Sequence, residues 1–200
     1  MTPLETANRY NKISQIYQEE LKDSDYGLRQ IKQAISFTKN KNKALDVGCG
    51  VGGRIINELL SSNFDVKGID VSSSMLDLAK KSHAEVSFEN VDICTWESDE
   101  KFDLIVAWDS LFHLPLSEHK NVINKLSNLL EEDGILIYTF GDDIGEHISS
   151  WHEDTFYYSS IGINENMKTL LDNSFKIMHL ELDQYPLKHV YTIVKKERNI

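Results

Sequence analysis

The chain has 200 residues, 40% of them hydrophobic and 26% charged, the balance of a globular protein with enough length for one substantial core. Its 32 acidic against 21 basic side chains leave a formal charge of −11, and with no Lys/Arg-rich block this makes long nucleic acids poor partners. The opening "MTPLETANRYNK" lacks the apolar run of a signal peptide or membrane span, so a cytoplasmic protein with no membrane partner is expected, and Cys49 and Cys94 form no CxxC pair that would suggest disulfides or a cysteine metal site.

Residues 4–37 are polar with Ile13, Ile16, Tyr17 and Leu21 at helical spacing, which predicts one or two helices ahead of the first strand. "KALDVG" reads as a short buried strand, "VGGRIINELLSS" as a helix with Ile55, Ile56, Leu59 and Leu60 on one face, and "DVKGID" as a second strand. "VSSSMLDLAKK" follows as a helix with a Ser74/Asp77 capping-box spacing, and "EVSFENVD" as a third strand. "KFDLIVAW" is apolar almost throughout, as in a strand covered on both faces. Ser117 is placed to cap a helix carrying Val122, Ile123, Leu126, Leu129 and Leu130, with Gly134 to end it, and "GILIYTFG" is a fifth strand. Residues 142–160 show no clear period and read as a long loop or lid. "NENMKTLLDNS" is a last helix, and two alternating strands around Tyr185-Pro186 form an antiparallel pair.

Strand and helix alternate from residue 43 to about 141, the pattern of a parallel α/β sheet with right-handed crossovers. A single domain is expected, with residues 1–40 as a helical cap, 41–141 as the ligand-binding core, 142–160 as the lid and 161–200 as a helix plus strand pair. Ligands of such sheets bind beyond the carboxyl ends of the strands, where strand order reverses. "ALDVGCGVGG" lies at that end of the first strand and holds four of the chain's ten glycines. Gly48, Gly50 and Gly53 fit G-x-G-x-x-G, and Asp70 ends the second strand, where a carboxylate can accept both hydrogens of a ribose diol. An adenosine-containing ligand is the reading these positions favour over a purely structural turn.

Together, "LDVGCGVGG", "GIDVSSSML", "NVDICTW" and "FDLIVAWDSLFHL" resemble the class I S-adenosylmethionine-dependent methyltransferases over about residues 40 to 141. The resemblance implies a Rossmann-like, doubly wound sheet of seven strands, the last antiparallel, with helices on both faces. It implies S-adenosylmethionine as cofactor, its methionine part over the Asp46-x-Gly48-x-Gly50-x-Gly52 turn, with Cys49 beside it. It places the ribose at Asp70 with Val71 and Met75 adjacent, the adenine amino group near Asp92 and Ile93, and the meeting of cofactor and acceptor at Trp108. A sulfonium and a zwitterionic tail suit carboxylates better than a phosphate cradle does, and Asp46 would repel a pyrophosphate if it faced the turn.

Methyl transfer needs a base only if the acceptor arrives protonated. Asp109 and His113, just past strand four, are the candidate catalytic residues, with His147 and His152 of the lid behind them. "WDSLFHLP" is not the Asn/Asp-Pro-Pro-Tyr/Phe of enzymes acting on base amino groups or the glutamine amide, which points to a small-molecule or protein acceptor, the former preferred. Tyr10, Tyr17, Phe112, Trp151 and Tyr157 are candidate pocket walls, with Phe156 and Tyr158, though the same rings could be core. Asp109, Asp142 and Asp143 could share a Mg²⁺ ion, but no metal is expected. Two alternatives stay open: an NAD(P)-dependent oxidoreductase, for which Tyr191 and Lys195 have the Tyr-x-x-x-Lys spacing, and a non-catalytic S-adenosylmethionine-binding protein. Monomer and homodimer are equally compatible with the chain.

Overall fold

The computed structural model describes residues 1–184 and 186–198. Helices α1 (Pro3–Leu21) and α2 (Leu28–Phe37) precede strand β1 (Lys43–Val47), followed by α3 (Arg54–Ser61), β2 (Asp65–Asp70), α4 (Ser73–Ser82), β3 (Ser87–Asn90) and β4 (Phe102–Ala107). After two short 3₁₀ turns come α5 (His119–Leu129), β5 (Leu130–Gly141), β6 (Ile144–Trp151), β7 (Asp154–Ile161), α6 (Gly162–Asp172), β8 (Phe175–Asp183) and β9 (His189–Lys196). Seven strands form one sheet in the order β3-β2-β1-β4-β5-β9-β8. β1 pairs parallel with both β2 and β4, and β9 runs antiparallel to both of its neighbours. Strand order therefore reverses at β1 and β4, and the glycine turn leaves the sheet at that crevice.

Alternate residues of the central strands serve two cores. Leu45, Val47, Ile105 and Leu136 face Val122, Ile123, Leu126 and Leu129 of α5. On the other face Ala44, Leu104, Val106 and Ile137 meet Ile31, Ala34 and Ile35 of α2 and Ile56 and Leu59 of α3. β4 is buried from end to end, as its nearly continuous apolar run implies, and its one charged residue, Asp103, accepts the Asn42 and Lys43 N–H groups.

Four local readings of the sequence are corrected. Ser72, not Ser74, caps α4, accepting the Met75 N–H. α5 starts at His119 with no side-chain cap, Ser117 lying before it. It ends at Leu129, and Gly134 sits inside β5, where the register with β4 slips between Phe102 and Leu104. Residues 144–161 are a two-stranded antiparallel hairpin, β6 with β7, instead of a loop. Its two-residue turn puts His152 and Glu153 at φ 47° and 61°, the left-handed pair that hairpins favour and that Asn-Gly normally signals. The last two strands pair as the alternation predicts, with Tyr185 of the connection outside the described residues. No helix among the described residues is long and apolar enough to cross a membrane.

α1 lies across the carboxyl edge of the sheet and is held by polar contacts as well as by the packing of Tyr10 on Phe156 and Tyr17 on Trp151. Thr2 and Glu5 form a capping box at its start. The Asn11 side-chain oxygen accepts from Ser72 Oγ at 2.7 Å and from the Ser74 N–H at 3.0 Å, which ties it to α4. Arg9 and Lys12 both pair with Asp154 of the hairpin.

Candidate active site

β1 ends at Val47 and the chain turns at once: the Gly48 and Cys49 N–H groups donate to the Ile69 carbonyl at 2.8 and 3.1 Å. Gly48, Gly50 and Gly52 have φ of 73°, 55° and 65°, the left-handed region that only glycine enters freely. Gly53 does not, and a Cβ on it would meet nothing within 4 Å. The geometry therefore selects the G-x-G-x-G spacing over G-x-G-x-x-G. Asp70 locks the turn from the next strand, one carboxylate oxygen accepting the Gly50 N–H and the other the Ser72 N–H, each at 2.8 Å. Desolvation raises the Asp70 pKa, against the lowering pull of the Ser72, Gly50 and Val71 amides.

Beyond this turn a cleft opens along the strand ends. At one end Val71, Met75, Val91, Asp92 and Ile93 line it, and at the other Trp108, Asp109, Ser110 and His113, with Thr6, Tyr10 and Tyr17 of α1 as its roof. Among the described residues three buried side-chain polar atoms lack a hydrogen-bond partner, Thr6 Oγ1, Trp108 Nε1 and Ser110 Oγ. All three residues line this cleft. Orphaned buried groups are rare in native proteins; here Trp108 lies against Gly27 and Ser110 against Gly48, so these atoms sit within the walls of the cleft.

An adjoining cavity, lined by Tyr17, Asp46, Gly48, Arg54 and Trp108 among others, continues the cleft past the glycine turn. Asp46 is 2% exposed, and burial, then the nearby Asp70 charge, push its carboxyl up to about 7 while Arg54 pulls the other way. Arg54 Nε donates to the Tyr26 carbonyl at 2.5 Å, and its guanidinium carbon lies 5.7 Å from the centre of the Tyr26 ring. A buried carboxyl and a guanidinium facing one cavity match the ammonium and carboxylate of an amino-acid tail.

Past β4, His113 is buried and fixed on both nitrogens, Nδ1 donating to the Tyr157 carbonyl and Nε2 accepting from the Tyr10 hydroxyl, each at 2.8 Å. Desolvation lowers its pKa to about 4, so it is neutral near pH 7. Burial raises the Tyr10 phenol well above its ordinary value, which keeps it a donor. Asp109 has φ 54°, its N–H donates to Thr139 Oγ1 at 2.8 Å, and its carboxylate accepts from His189 Nε2 at 2.9 Å. His189 Nδ1 bonds Asp183 in turn. Burial alone would lower the His189 pKa, but the two carboxylates outweigh it and raise it.

Asp46, Gly48, Gly50, Asp70, Val71, Met75, Asp92, Ile93, Trp108, Asp109, His113, Tyr10 and Tyr17 thus converge on the cleft and its extension, and Cys49 and Gly52 stand in the extension. Phe112, Trp151 and Tyr157 line neither. Phe112 packs on His113 and Tyr158 and faces a separate groove, Trp151 packs on Tyr17 and Phe156, and Tyr157 contributes its carbonyl to His113. His147 stacks on Tyr158, and His152 pairs with Glu20. Asp142 and Asp143 line the separate groove, and no group of three His, Cys, Asp or Glu among the described residues stands close enough to share an ion. The dehydrogenase pair fails too: Tyr191 is buried against His179 and Glu181, and Lys195 pairs with Asp133. Arg54, Ser110, Thr6 and His189 escaped the sequence reading. Only Arg54, directly after the glycines, carried a positional signal.

The family model described as a methyltransferase domain matches residues 44–134. The chain is 30% identical over 195 residues to a phosphoethanolamine N-methyltransferase of Plasmodium falciparum, covering 87% of this chain and 71% of that protein. It is 31% identical over 107 residues to a trans-aconitate 2-methyltransferase of Rhizobium etli, a match over 52% of this chain that spans only 40% of the relative's length. Among solved structures, the magnesium protoporphyrin IX methyltransferase of Synechocystis with bound S-adenosylmethionine superposes with a TM-score of 0.75 at 17% identity, covering 98% of each chain. A methyltransferase of Clostridium acetobutylicum gives 0.73 at 18% identity, over 96% of this chain and all of the other. A glycine turn at the point where strand order reverses, together with a relative 30% identical over 71% of its own length and the matching family model, places the chain in the class I S-adenosylmethionine-dependent methyltransferases.

Proposed function

We propose that the protein transfers a methyl group from S-adenosylmethionine to a small-molecule acceptor bound between Tyr10, His113 and Asp109. The observation that carries this is the cleft itself, which opens beyond the glycine turn where strand order reverses, is lined by Gly48, Gly50, Asp70, Asp92, Trp108 and His113, and is roofed by α1, an enclosure suited to a small ligand. When bound, the cofactor supplies a methyl carbon already activated by its sulfonium. Asp70 would hold the ribose, Asp92 and Ile93 the adenine edge, and Asp46 with Arg54 the amino-acid tail.

The rest is positioning, which can contribute about 7 to 11 kcal/mol in favourable cases. His113 is neutral, and its Nδ1–H is spent on the Tyr157 carbonyl, so Nε2 is the lone pair that faces Tyr10. A hydroxyl acceptor that displaced the Tyr10 hydroxyl would donate to that nitrogen, which would orient it and take its proton as the oxygen–methyl bond forms and the methyl–sulfur bond breaks. An amine acceptor would have to arrive unprotonated, because a histidine whose pKa is held at about 4 does not deprotonate an ammonium. Asp109, anchored by His189, would orient the acceptor from the opposite side. The names of several relatives concern trans-aconitate, phosphoethanolamine and ubiquinone biosynthesis, which supports a small acceptor here. The test is incubation with methyl-labelled S-adenosylmethionine and an ultrafiltered metabolite extract. Label is expected in the small-molecule fraction, and label found only in added protein or nucleic acid would contradict the acceptor class.

Asp46 gives this reading a pH signature. A carboxyl raised from 3.8 to about 7 in the folded state destabilises the ligand-free protein wherever the unfolded chain is ionised. The penalty grows by about 1.4 kcal/mol per pH unit from 3.8 up to 7 and is constant above. Asp46→Asn is expected to melt higher than the parent at pH 8, the advantage shrinking as pH falls toward 4, while binding S-adenosylmethionine more weakly. Paired melts at pH 5 and 8 with and without ligand check both signs.

A further inference from the structure

The loop after β3 is held from outside the cleft by a residue that no part of the cofactor site contains. Val91, Asp92 and Ile93 line the cleft, and the chain then turns sharply. Asp92 Oδ1 accepts the Cys94 N–H at 2.9 Å, and its carbonyl accepts the Thr95 and Trp96 N–H groups at 3.0 and 2.8 Å. This turn presents the carbonyls of Ile93, Cys94 and Trp96 to α5, where Lys125 Nζ donates to all three, at 3.0, 3.0 and 2.6 Å. An ammonium has three N–H donors, so the whole capacity of this one is used on the loop. The Lys125 side chain is only 16% exposed, and its ion partner Glu97, at 3.4 Å, is 87% exposed and adds little. Lys125 stands among the core positions Val122, Ile123, Leu126 and Leu129 of α5, where an apolar side chain would pack without the cost of drawing a cation out of water.

We infer that Lys125 is a positioning residue that sets the site's selectivity for adenine. By fixing the carbonyls of Ile93, Cys94 and Trp96 it holds Asp92 and the main chain of Ile93 at one depth and angle. The Asp92 carboxylate there can accept from the exocyclic amino group of adenine and opposes the oxygen that hypoxanthine carries at the same position. The inference rests on the reading that the adenine end of the cofactor lies at Asp92 and Ile93.

The test is calorimetric binding of S-adenosylhomocysteine and its deaminated counterpart S-inosylhomocysteine to the parent, Lys125→Met and Lys125→Gln proteins, each well below its melting temperature. The parent is expected to prefer the adenine compound by about tenfold or more, the scale of one hydrogen bond to a charged group. In Lys125→Met that preference should collapse toward unity, with Lys125→Gln, which keeps two donors, in between and decisive if the Met variant does not fold. Variants that melt lower or bind both compounds more weakly but keep the parent's ratio would make Lys125 merely structural and overturn the inference. A parent that does not discriminate would instead overturn the adenine placement itself.

Discussion

Asp70→Ala is expected to weaken S-adenosylhomocysteine binding by at least about tenfold and toward a hundredfold, because a hydrogen bond to a charged acceptor is worth about 1.5 to 3 kcal/mol. Beyond its proposed bonds to the ribose, the carboxylate holds the backbone around it. It is the acceptor for the Gly50 and Ser72 amides, so its removal also frees the glycine turn and the start of α4. The variant should therefore melt lower even without ligand. Asp70→Asn keeps one acceptor oxygen and presents a donor where a second amide points, so it should fall between the parent and the alanine variant. Calorimetric titration of the three proteins measures the series. A folded Asp70→Ala that binds as tightly as the parent would remove the ribose site from this position.

Gly48→Ala is expected to be the most damaging single methyl group in the molecule. At φ 73° an alanine is strained, by roughly 1 to 2 kcal/mol, and its Cβ would stand 2.4 Å from the Ser110 Cβ, an overlap that costs about 1 to 3 kcal/mol more. For a chain of this length the melting temperature should fall by on the order of 10 °C. The double variant Gly48→Ala/Ser110→Gly should recover the steric part and leave the backbone part. Gly53→Ala, with open space around the added methyl, should cost less than Gly48→Ala. Equal losses at positions 48 and 53 would mean that the close approach of the glycine turn to Ser110 does not exist in solution.

The frame of the molecule was legible because its signals are local. Asp46 and the three glycines lie within one turn, Asp70 ends a strand of six residues, and the apolar run of β4 announces a doubly covered strand. The methyltransferase resemblance added Asp92 and Trp108, and both line the cleft. The hairpin was missed because its turn uses His152 and Glu153 in place of glycine or asparagine, and because β6 is exposed along nearly its whole length and so carries no hydrophobic alternation. That Phe112, Trp151 and Tyr157 line neither the cleft nor its extension was not legible for a related reason: an aromatic ring in an irregular segment has the same composition whether it packs on a neighbour or walls a pocket. His189 and Lys125 were invisible in principle. Each acts across long chain separations, His189 on Asp109 and Lys125 on the loop after Asp92, and such pairings are set by topology alone.

The central claim is that the cleft beyond the glycine turn takes S-adenosylmethionine, and it is tested most directly by melting the purified protein with S-adenosylmethionine, S-adenosylhomocysteine and NADH in parallel. At about 100 times its dissociation constant a ligand adds about 2.7 kcal/mol, which for this chain is a shift of roughly 5 to 10 °C. The two sulfur compounds are expected to raise the midpoint by that amount and NADH to leave it unchanged. A shift with NADH and none with either sulfur compound would contradict the account.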